Sequence, residues 1–296
     1  MEQFLSQLIN GLQIGTIYAL IALGYTMVYG IIKLINFAHG EIFMSGAFFT
    51  WYFMSAVGLP LPVSALIGIL LATLLGIGVE RIAYRPLRNA PRFTVVISVL
   101  GMSIFLQNMA RIIWGAEFQV FDVTFNTPPL CIGSVIIPFK KLLVLFTAIV
   151  LMVGLGLFVK KTFLGKAMRA AAADREAAEM MGISVNLVVV LTFAIGSAMG
   201  AVAGILYAIN YSSIDPYMGF NAGMKAFAAA VLGGIGNIYG AMLGGVLLGI
   251  FEGVGAGYIS SMYRDAIAFS VLILALIFRP QGILGEGGAR EQIKAR

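Results

Sequence analysis

The sequence predicts an all-α polytopic membrane protein, because apolar segments follow one another along the whole chain and charged residues are scarce. Of its 296 residues, 60% are hydrophobic and 11% are charged, against roughly 25% charged in typical soluble domains. So few charges cannot cover a water-facing surface. The 36 glycines agree with this, since small residues let membrane helices pack closely. We expect a single transmembrane domain over residues 1–296.

A helix needs about 20 mostly apolar residues to cross the hydrocarbon core, and this requirement picks out the candidate spans. They are residues 8–32, 40–57, 61–80, 93–114, 142–159, 186–209, 222–232, 237–258 and 266–278. The segment 222–232 is too short to cross straight and is interpreted as a half-helix. We therefore expect about eight to nine transmembrane helices, some of them broken or half-length.

Basic residues predict the orientation in the membrane, because cytoplasmic loops carry an excess of Lys and Arg. They concentrate between residues 81–92 and 160–175, whereas residues 115–138 contain none. This places the amino terminus outside and the carboxy terminus inside. The net charge of +6 is explained by this orientation, and no nucleic-acid partner is expected. Residues 1–8 lack the basic region of a signal peptide, so the first span is expected to be retained.

A weak similarity between the two halves makes an inverted repeat a candidate. Gly24 is followed by a polar break at residues 36–40, and Gly204 is followed by a similar break at residues 215–219. Transporters often contain inverted repeats whose broken helices line the pathway.

Catalytic and metal-binding signatures are missing from the sequence. Gly165-Lys166 is followed by Ala167 and is not part of a phosphate-binding loop. The chain has one histidine, His39, and one cysteine, Cys131, so neither a histidine metal cage nor a disulfide is available. We expect no enzymatic activity, metal or cofactor in this chain.

Polar residues inside apolar segments are the candidates for a solute pathway, since they are costly next to lipid. These candidates are Asn36, His39, Glu41, Asn108, Asn210, Asp215 and Asn237. An internal hydrogen-bonded brace is the alternative interpretation of the cluster at residues 36–41. Lys225 and Glu252 are expected either to border the pathway or to form one buried ion pair.

Glycines spaced four residues apart predict close helix contacts, because they share one helix face. The two sets are Gly196, Gly200 and Gly204, and Gly245, Gly249 and Gly253. Packing within this subunit is favoured over contact with a partner or a solute.

The segment 160–185 predicts one or two short cytoplasmic helices, which end at Gly182. A partly apolar stripe at four-residue steps suggests a face that is turned away from water; its residues are Leu164, Met168, Ala172, Glu176 and Met180. A helix lying on the membrane or on its own subunit would show the same pattern.

Glu176-Ala177-Ala178, followed after three residues by Gly182, resembles the EAA loop of ABC importer permeases, which docks on the ATPase subunit. The later apolar residue and proline of the longer motif are absent. The runs at residues 35–41 and 226–237 are similar to the branched-chain amino acid ABC permease family, in particular its H-type subunit. The candidate coupling residues are Arg169, Asp174, Glu176, Ala177, Ala178 and Gly182.

The resemblance implies an importer for leucine, isoleucine or valine in the bacterial inner membrane. Its expected partners are a homologous second permease, two cytoplasmic ATPases that hold ATP and Mg, a periplasmic amino acid binding protein and the lipid bilayer. Urea, short amides or other amino acids are alternative cargoes. An ion-coupled transporter using Glu41, Lys225 and Glu252, or a passive channel for a small solute, are alternatives of another class.

Overall fold

The computed structural model describes residues 2–88, 90–125, 127–132 and 135–285. The apolar segments fold as helices, because in a bilayer each segment must satisfy its own backbone hydrogen bonds. The helices among the described residues are α1 Glu2–Ile32, α2 His39–Ser55, α3 Leu61–Val79, α4 Arg92–Trp114, α5 Phe139–Lys161, α6 Phe163–Ala173, α7 Arg175–Met180, α8 Val185–Tyr211, α9 Met218–Gly233, α10 Ile238–Tyr258 and α11 Arg264–Phe278. The all-α polytopic fold class is confirmed.

Short elements complete the fold. A π-helical segment, Glu80–Tyr84, and a 3-10 turn, Arg85–Leu87, extend α3, and a second 3-10 turn, Ser261–Tyr263, precedes α11. The strands are β1 Gln119–Val120, β2 Leu130–Ile132, β3 Val135–Ile137 and β4 Ser213–Ile214. They form two antiparallel pairs, β1 with β4 and β2 with β3.

Each of the nine predicted spans coincides with a helix, and within the described residues seven are long and apolar enough to cross a membrane. The exceptions are α2 and α9, with 17 and 16 residues. The expected half-helix at residues 222–232 begins earlier, at Met218. Helix α1 is the central element of the fold. In an apolar stretch of 18 residues of this helix, 89% of the residues are buried, against 28% in the corresponding stretch of α4.

The arrangement of the helices has an internal two-fold pattern, in which α1–α4 correspond to α8–α11. Helix α3 packs on α2 and α8 as α10 packs on α9 and α1, and α4 contacts α2 as α11 contacts α9. The halves are inverted, since α1 ends beside α7 whereas α8 ends beside β1, with which β4 pairs.

The two chain breaks that link α1 to α2 and α8 to α9 have the same local structure. Lys33 and Ser212 follow the helix ends with left-handed φ values of 59° and 55°. An Asx turn then starts the next helix: the Ala38 amide donates to Asn36 Oδ1 at 3.2 Å, and the Tyr217 amide donates to Asp215 Oδ1 at 2.8 Å. This gives the similarity between residues 36–40 and 215–219 a structural counterpart.

The first turns of α2 and α9 cross each other at their glycines. A Cβ on Gly219 would lie 2.7 Å from the Gly40 carbonyl oxygen, and a Cβ on Gly40 would overlap the Gly219 carbonyl. The crossing therefore requires glycine at both positions.

The repeated glycines of α10 lie along α1. Built Cβ atoms on Gly245, Gly249 and Gly253 would overlap Ala19, Gly15 and Gly11, in that order, so the two helices run antiparallel. On α8, a Cβ on Gly196 would lie 3.5 Å from Gly24 Cα, one on Gly200 would meet the His39 ring, and one on Gly204 would overlap the Phe43 carbonyl of α2. Both sets face other helices of this chain.

Candidate transport and coupling sites

The break between α1 and α2 is organised by Asn36. Its side chain is 1% exposed, and its Oδ1 accepts the hydrogen bond from Ala38 described above. Its backbone carbonyl accepts a hydrogen bond from the His39 amide at 3.0 Å. Within the described residues, Asn36 Nδ2 has no hydrogen-bond partner. Asn36 thus forms the turn and keeps a free buried donor.

The His39 ring fills a space between helices α1 and α8. A Cβ on Gly24 would overlap the ring, and one on Gly200 would lie 3.1 Å from the ring Cε1. The Tyr25 ring contacts it edge to face with centroids 5.0 Å apart. His39 is 1% exposed, and its Nε2 is unpaired among the described residues. The two glycines therefore provide the room that a buried imidazole needs.

Glu41 lies in the first turn of α2, facing α4 and α9. Its Oε1 accepts a hydrogen bond from Ser103 Oγ of α4 at 3.2 Å. Its Oε2 has no partner in the described part of the chain and points at the start of α9, where a Cβ on Gly219 would be 2.7 Å away. An unpaired buried polar group costs about 1–3 kcal/mol. Water or a polar solute would therefore gain hydrogen bonds by entering here.

The other predicted pathway residues lie elsewhere. Asn210 accepts a hydrogen bond from Gln13 at 2.8 Å near the end of α8, and Asp215 is occupied with its own turn. Asn237 caps α10 at Gly240 and donates to the Leu284 carbonyl. Asn108 is exposed on α4 and donates to the Ile104 carbonyl one turn back. The structure brings together only Asn36, His39 and Glu41 from the predicted set.

An ionic cluster, buried at Glu252 and open to solvent at Asp265, links α9, α10 and α11. Lys225 Nζ lies 3.0 Å from Glu252 Oε1 and 2.7 Å from Asp265 Oδ1. The Tyr18 hydroxyl of α1 donates to the same Glu252 oxygen at 3.3 Å. Of the two interpretations of Lys225 and Glu252, the ion pair is the one found in the structure. Asp265 and Tyr18 were not predicted as partners.

The segment 160–185 contains two helices with well-defined ends. The Thr162 hydroxyl accepts from the Gly165 amide at 3.0 Å at the start of α6, and Asp174 Oδ1 accepts from the Ala177 amide at 3.1 Å at the start of α7. Gly182, with φ of 83°, ends α7 in a Schellman motif, in which the Ile183 amide bonds the Ala178 carbonyl at 3.0 Å. The predicted short helices and their stop at Gly182 are confirmed.

The partly apolar stripe from Leu164 to Met180 does not form one face in the structure. Asp174 separates the two helices, so the four-residue spacing does not run through them. Met168 on α6 is 3% exposed and packs into the subunit, whereas Met180 on α7 is 81% exposed. On α7, Ala178 is buried while Glu176 points to solvent.

Arginine side chains tie this segment to the bundle. Arg169 Nη1 donates to the Val159 carbonyl at the end of α5 at 2.6 Å. Arg175 donates through Nε at 3.1 Å and Nη2 at 2.5 Å to the Ile31 carbonyl at the end of α1. Burial and the nearby Arg88 guanidinium lower the pKa of Arg175. The sequence analysis counted Arg175 only as an orienting charge and missed this contact.

Glu80 and Tyr84 of the π-helical segment were also missed. Glu80 is fully buried and paired with Arg88, which in turn donates to Asn186 at the start of α8. The Tyr84 hydroxyl donates to the Ile35 carbonyl at 3.0 Å. A carboxylate at the end of an apolar run was the one available signal, since intramembrane charges usually have a partner.

Comparison with known proteins agrees with this architecture. Residues 7–276 match the family described as branched-chain amino acid transport system / permease component. The chain is 45% identical over 294 residues to the high-affinity branched-chain amino acid transport system permease protein BraD of Pseudomonas aeruginosa, covering 95% of this chain and 96% of that protein. It is 44% identical over 295 residues to LivH of Escherichia coli K12, which carries the same description, with the same coverage.

A solved structure shares the fold at low sequence identity. PsaBC from Streptococcus pneumoniae in complex with Fab superposes with a TM-score of 0.52 at 11% identity, covering 95% of this chain and 93% of that one. The family match spans nearly the whole chain, and the alignments cover 96% of each of the two relatives. The chain therefore belongs to the branched-chain amino acid transport permease family.

Proposed function

We propose that this chain is one permease subunit of an ABC importer that carries leucine, isoleucine or valine across the bacterial inner membrane. Its amino terminus faces the periplasm and its carboxy terminus the cytoplasm. The family match over residues 7–276 is the observation that carries the proposal. The partners are a homologous second permease, two cytoplasmic ATPases and a periplasmic binding protein. The chain itself binds no nucleotide and holds no cofactor.

The ATPases are proposed to dock on α7 and the turn that follows it. Support comes from the exposed side of α7, where Glu176 stands beside Met180 and Met181, which are 81% and 82% exposed. An apolar tip flanked by charge suits a cleft in a soluble partner. The Asp174 cap and the Gly182 stop would hold this surface rigid, since both satisfy the terminal backbone groups of a very short helix.

Transport is proposed to proceed by alternating access. ATP closes the ATPases, α7 moves with them, and the glycine-packed helices follow as rigid bodies. The pathway passes the break at Asn36, His39 and Glu41, whose unpaired polar atoms can contact the ammonium and carboxylate of the solute. Affinity resides mainly in the binding protein, because a pathway that held its solute tightly would release it slowly.

The docking assignment is tested with Glu176→Arg and Gly182→Leu in the assembled complex. Leucine at Gly182 cannot adopt the left-handed φ of 83° without cost, so the docking turn should deform. Both variants should lose ATPase association and uptake by at least about tenfold. Glu117→Arg, an exposed charge reversal on the β1 side, is the matched control. ATPase association equal to that of the control would refute the assignment.

The substrate and the energy source are tested in proteoliposomes. The complete complex with its binding protein should take up branched-chain amino acids only when ATP is present on the ATPase side. Uptake by this chain alone, driven by an ion gradient, would instead support the secondary-transporter alternative. If urea or short amides at equal concentration reduced the uptake of branched-chain amino acids, the assigned cargo would change to those compounds.

A further inference from the structure

The turn at residues 31–35 is the covalent link between α1 and the buried polar break. Ile31 lies in the last turn of α1, where the final carbonyl groups have no partner inside the helix. Lys33 then takes a left-handed φ of 59° and reverses the chain. Asn36 follows directly and begins the cluster with His39 and Glu41. Any displacement of this turn therefore reaches the polar cluster directly along the backbone.

Two side chains from other elements hold this turn. Arg175 of α7 donates two hydrogen bonds to the Ile31 carbonyl, at 3.1 and 2.5 Å. Such bonds are charge-assisted, and a cation at a helix carboxyl end is also favoured by the helix dipole. Tyr84 donates to the Ile35 carbonyl at 3.0 Å and is itself 1% exposed, with its ring packed on Phe193 of α8. The turn is thus held at both ends.

Arg175 stands on the docking helix α7, and Tyr84 stands on the extension of α3 that leads to Arg88, which lies near Arg175. Arg175 is the first residue of α7, directly between the Asp174 cap and the exposed Glu176. Tyr84 closes the π-helical segment, in which Glu80 binds Arg88. A π-helical turn rotates the following side chains relative to an α-helix, and such turns are frequent at functional sites.

We propose that Arg175 and Tyr84 form a two-point clamp on the turn 31–35, through which movement of α7 is transmitted to the break between α1 and α2. Both are positioning residues: each donates to a backbone carbonyl of the turn, and neither contacts the solute. The clamp rests on the proposed function in one respect, that an ATPase docks on α7. Without the clamp, the ATPases bind and hydrolyse ATP, but the break between α1 and α2 does not move with α7.

The test measures coupling rather than stability, as moles of leucine imported per mole of ATP hydrolysed by the reconstituted complex. Arg175→Ala should lower this ratio about tenfold, since two charge-assisted hydrogen bonds are lost, and Tyr84→Phe about threefold, since one neutral bond is lost. Arg175→Lys should restore part of the ratio, because an ammonium can still donate to the carbonyl. Basal ATP hydrolysis of Tyr84→Phe should stay within about twofold of the wild type, because Tyr84 lies outside the docking helix.

Matched controls are available on the same side of the protein. Lys161→Ala removes an exposed cation at the end of α5, and Tyr29→Phe removes a hydroxyl that makes no hydrogen bond to any described residue. Both controls should keep the wild-type ratio. A ratio in Arg175→Ala or Tyr84→Phe equal to that of its control would overturn the clamp. Loss of ATPase association in Arg175→Ala would also overturn it, since Arg175 would then belong to the docking surface.

A label on the turn separates failure of the clamp from failure of the proposed substrate. In a Cys131→Ser background, the thiol of Leu34→Cys should change its reactivity at least threefold when ATP is added, and Arg175→Ala should abolish that change. This measurement needs no transported solute. If the wild type imports no branched-chain amino acid but the label still responds through Arg175, the substrate assignment fails and the clamp stands. An ATP response that survives Arg175→Ala refutes the clamp.

Discussion

Replacing Gly253 by alanine should destabilise the close contact, or seam, between α1 and α10, and the structure gives the distances from which the cost can be worked out. A Cβ at this position would lie 2.5 Å from Gly11 Cα, 2.8 Å from its nitrogen and 3.0 Å from the Gln7 carbonyl oxygen. Carbon atoms in contact are normally about 3.5–4.0 Å apart, so the helices must separate by about 1 Å. They cannot do so locally, because Gly249 and Gly245 make equally close contacts along the same seam.

The expected cost follows from two opposing terms. Overpacking a well-packed core costs about 1–3 kcal/mol, and alanine recovers about 0.5–1 kcal/mol of helix stability relative to glycine. Gly253→Ala should therefore lower the free energy of unfolding by about 0–2.5 kcal/mol, measured by SDS titration in mixed micelles with circular dichroism. Gly101→Ala on α4, where a Cβ meets nothing within 4 Å, should be neutral or stabilising. If Gly253→Ala is as stable as Gly101→Ala, the close packing of this seam is refuted.

Glu252→Leu removes one of the two carboxylates paired with Lys225 and should lower the free energy of unfolding by about 1–3 kcal/mol, and adding Lys225→Met should recover part of it; strictly additive effects in the same SDS titration would contradict the pairing. Asp174→Ala removes the cap of α7 and should lower the free energy of unfolding by about 1 kcal/mol. It should also weaken binding of the purified ATPase in a pull-down, whereas Asp174→Asn should keep the stability and the binding of the wild type. Equal binding by the two variants would count against a rigid docking helix. Ser103→Ala removes the hydrogen bond to Glu41 and should raise the leucine concentration for half-maximal uptake about threefold; an unchanged value would place Glu41 outside the pathway.

Hydropathy was sufficient to locate the helices, since every segment that must lie in the bilayer has to be both apolar and helical. It failed at the start of α9, which begins at Met218 rather than near residue 222. The first turn contains Gly219 and Asn221, which lower the local hydropathy. What starts this helix is the turn made by Asp215. Local backbone hydrogen bonds of this kind are not visible to an average over apolar residues.

The sequence did not show which residues contact one another across the helices. The four-residue spacing of glycines indicated close contacts but not their partners, so nothing connected Gly200 with the His39 ring. Arg175 was one basic residue among several near α7, and its role depends on a carbonyl 144 positions away. Asn108, a pathway candidate, is exposed and lies away from the cluster at residues 36–41. The sequence did not indicate this, because one sequence does not show which face of α4 meets the bundle. Long-range geometry, rather than residue type, separates these cases.

The inverted halves raise the question of how a pseudo-symmetric chain can respond to ATPases on one side only. The two breaks share their backbone geometry but not their chemistry: where the first has His39 and Glu41, the second has Met218 and Phe220. The first break lies next to α7 and is reached by Arg175, while the second lies beside the β1–β4 pair. Since a symmetric pair of breaks would respond equally from either face, this difference in side chains is what can give the movement a direction. One break is polar and connected to α7, and the other is apolar and lies on the opposite face. This arrangement suits a permease in which nucleotide binding moves the first break, and the second break follows through the crossed first turns of α2 and α9.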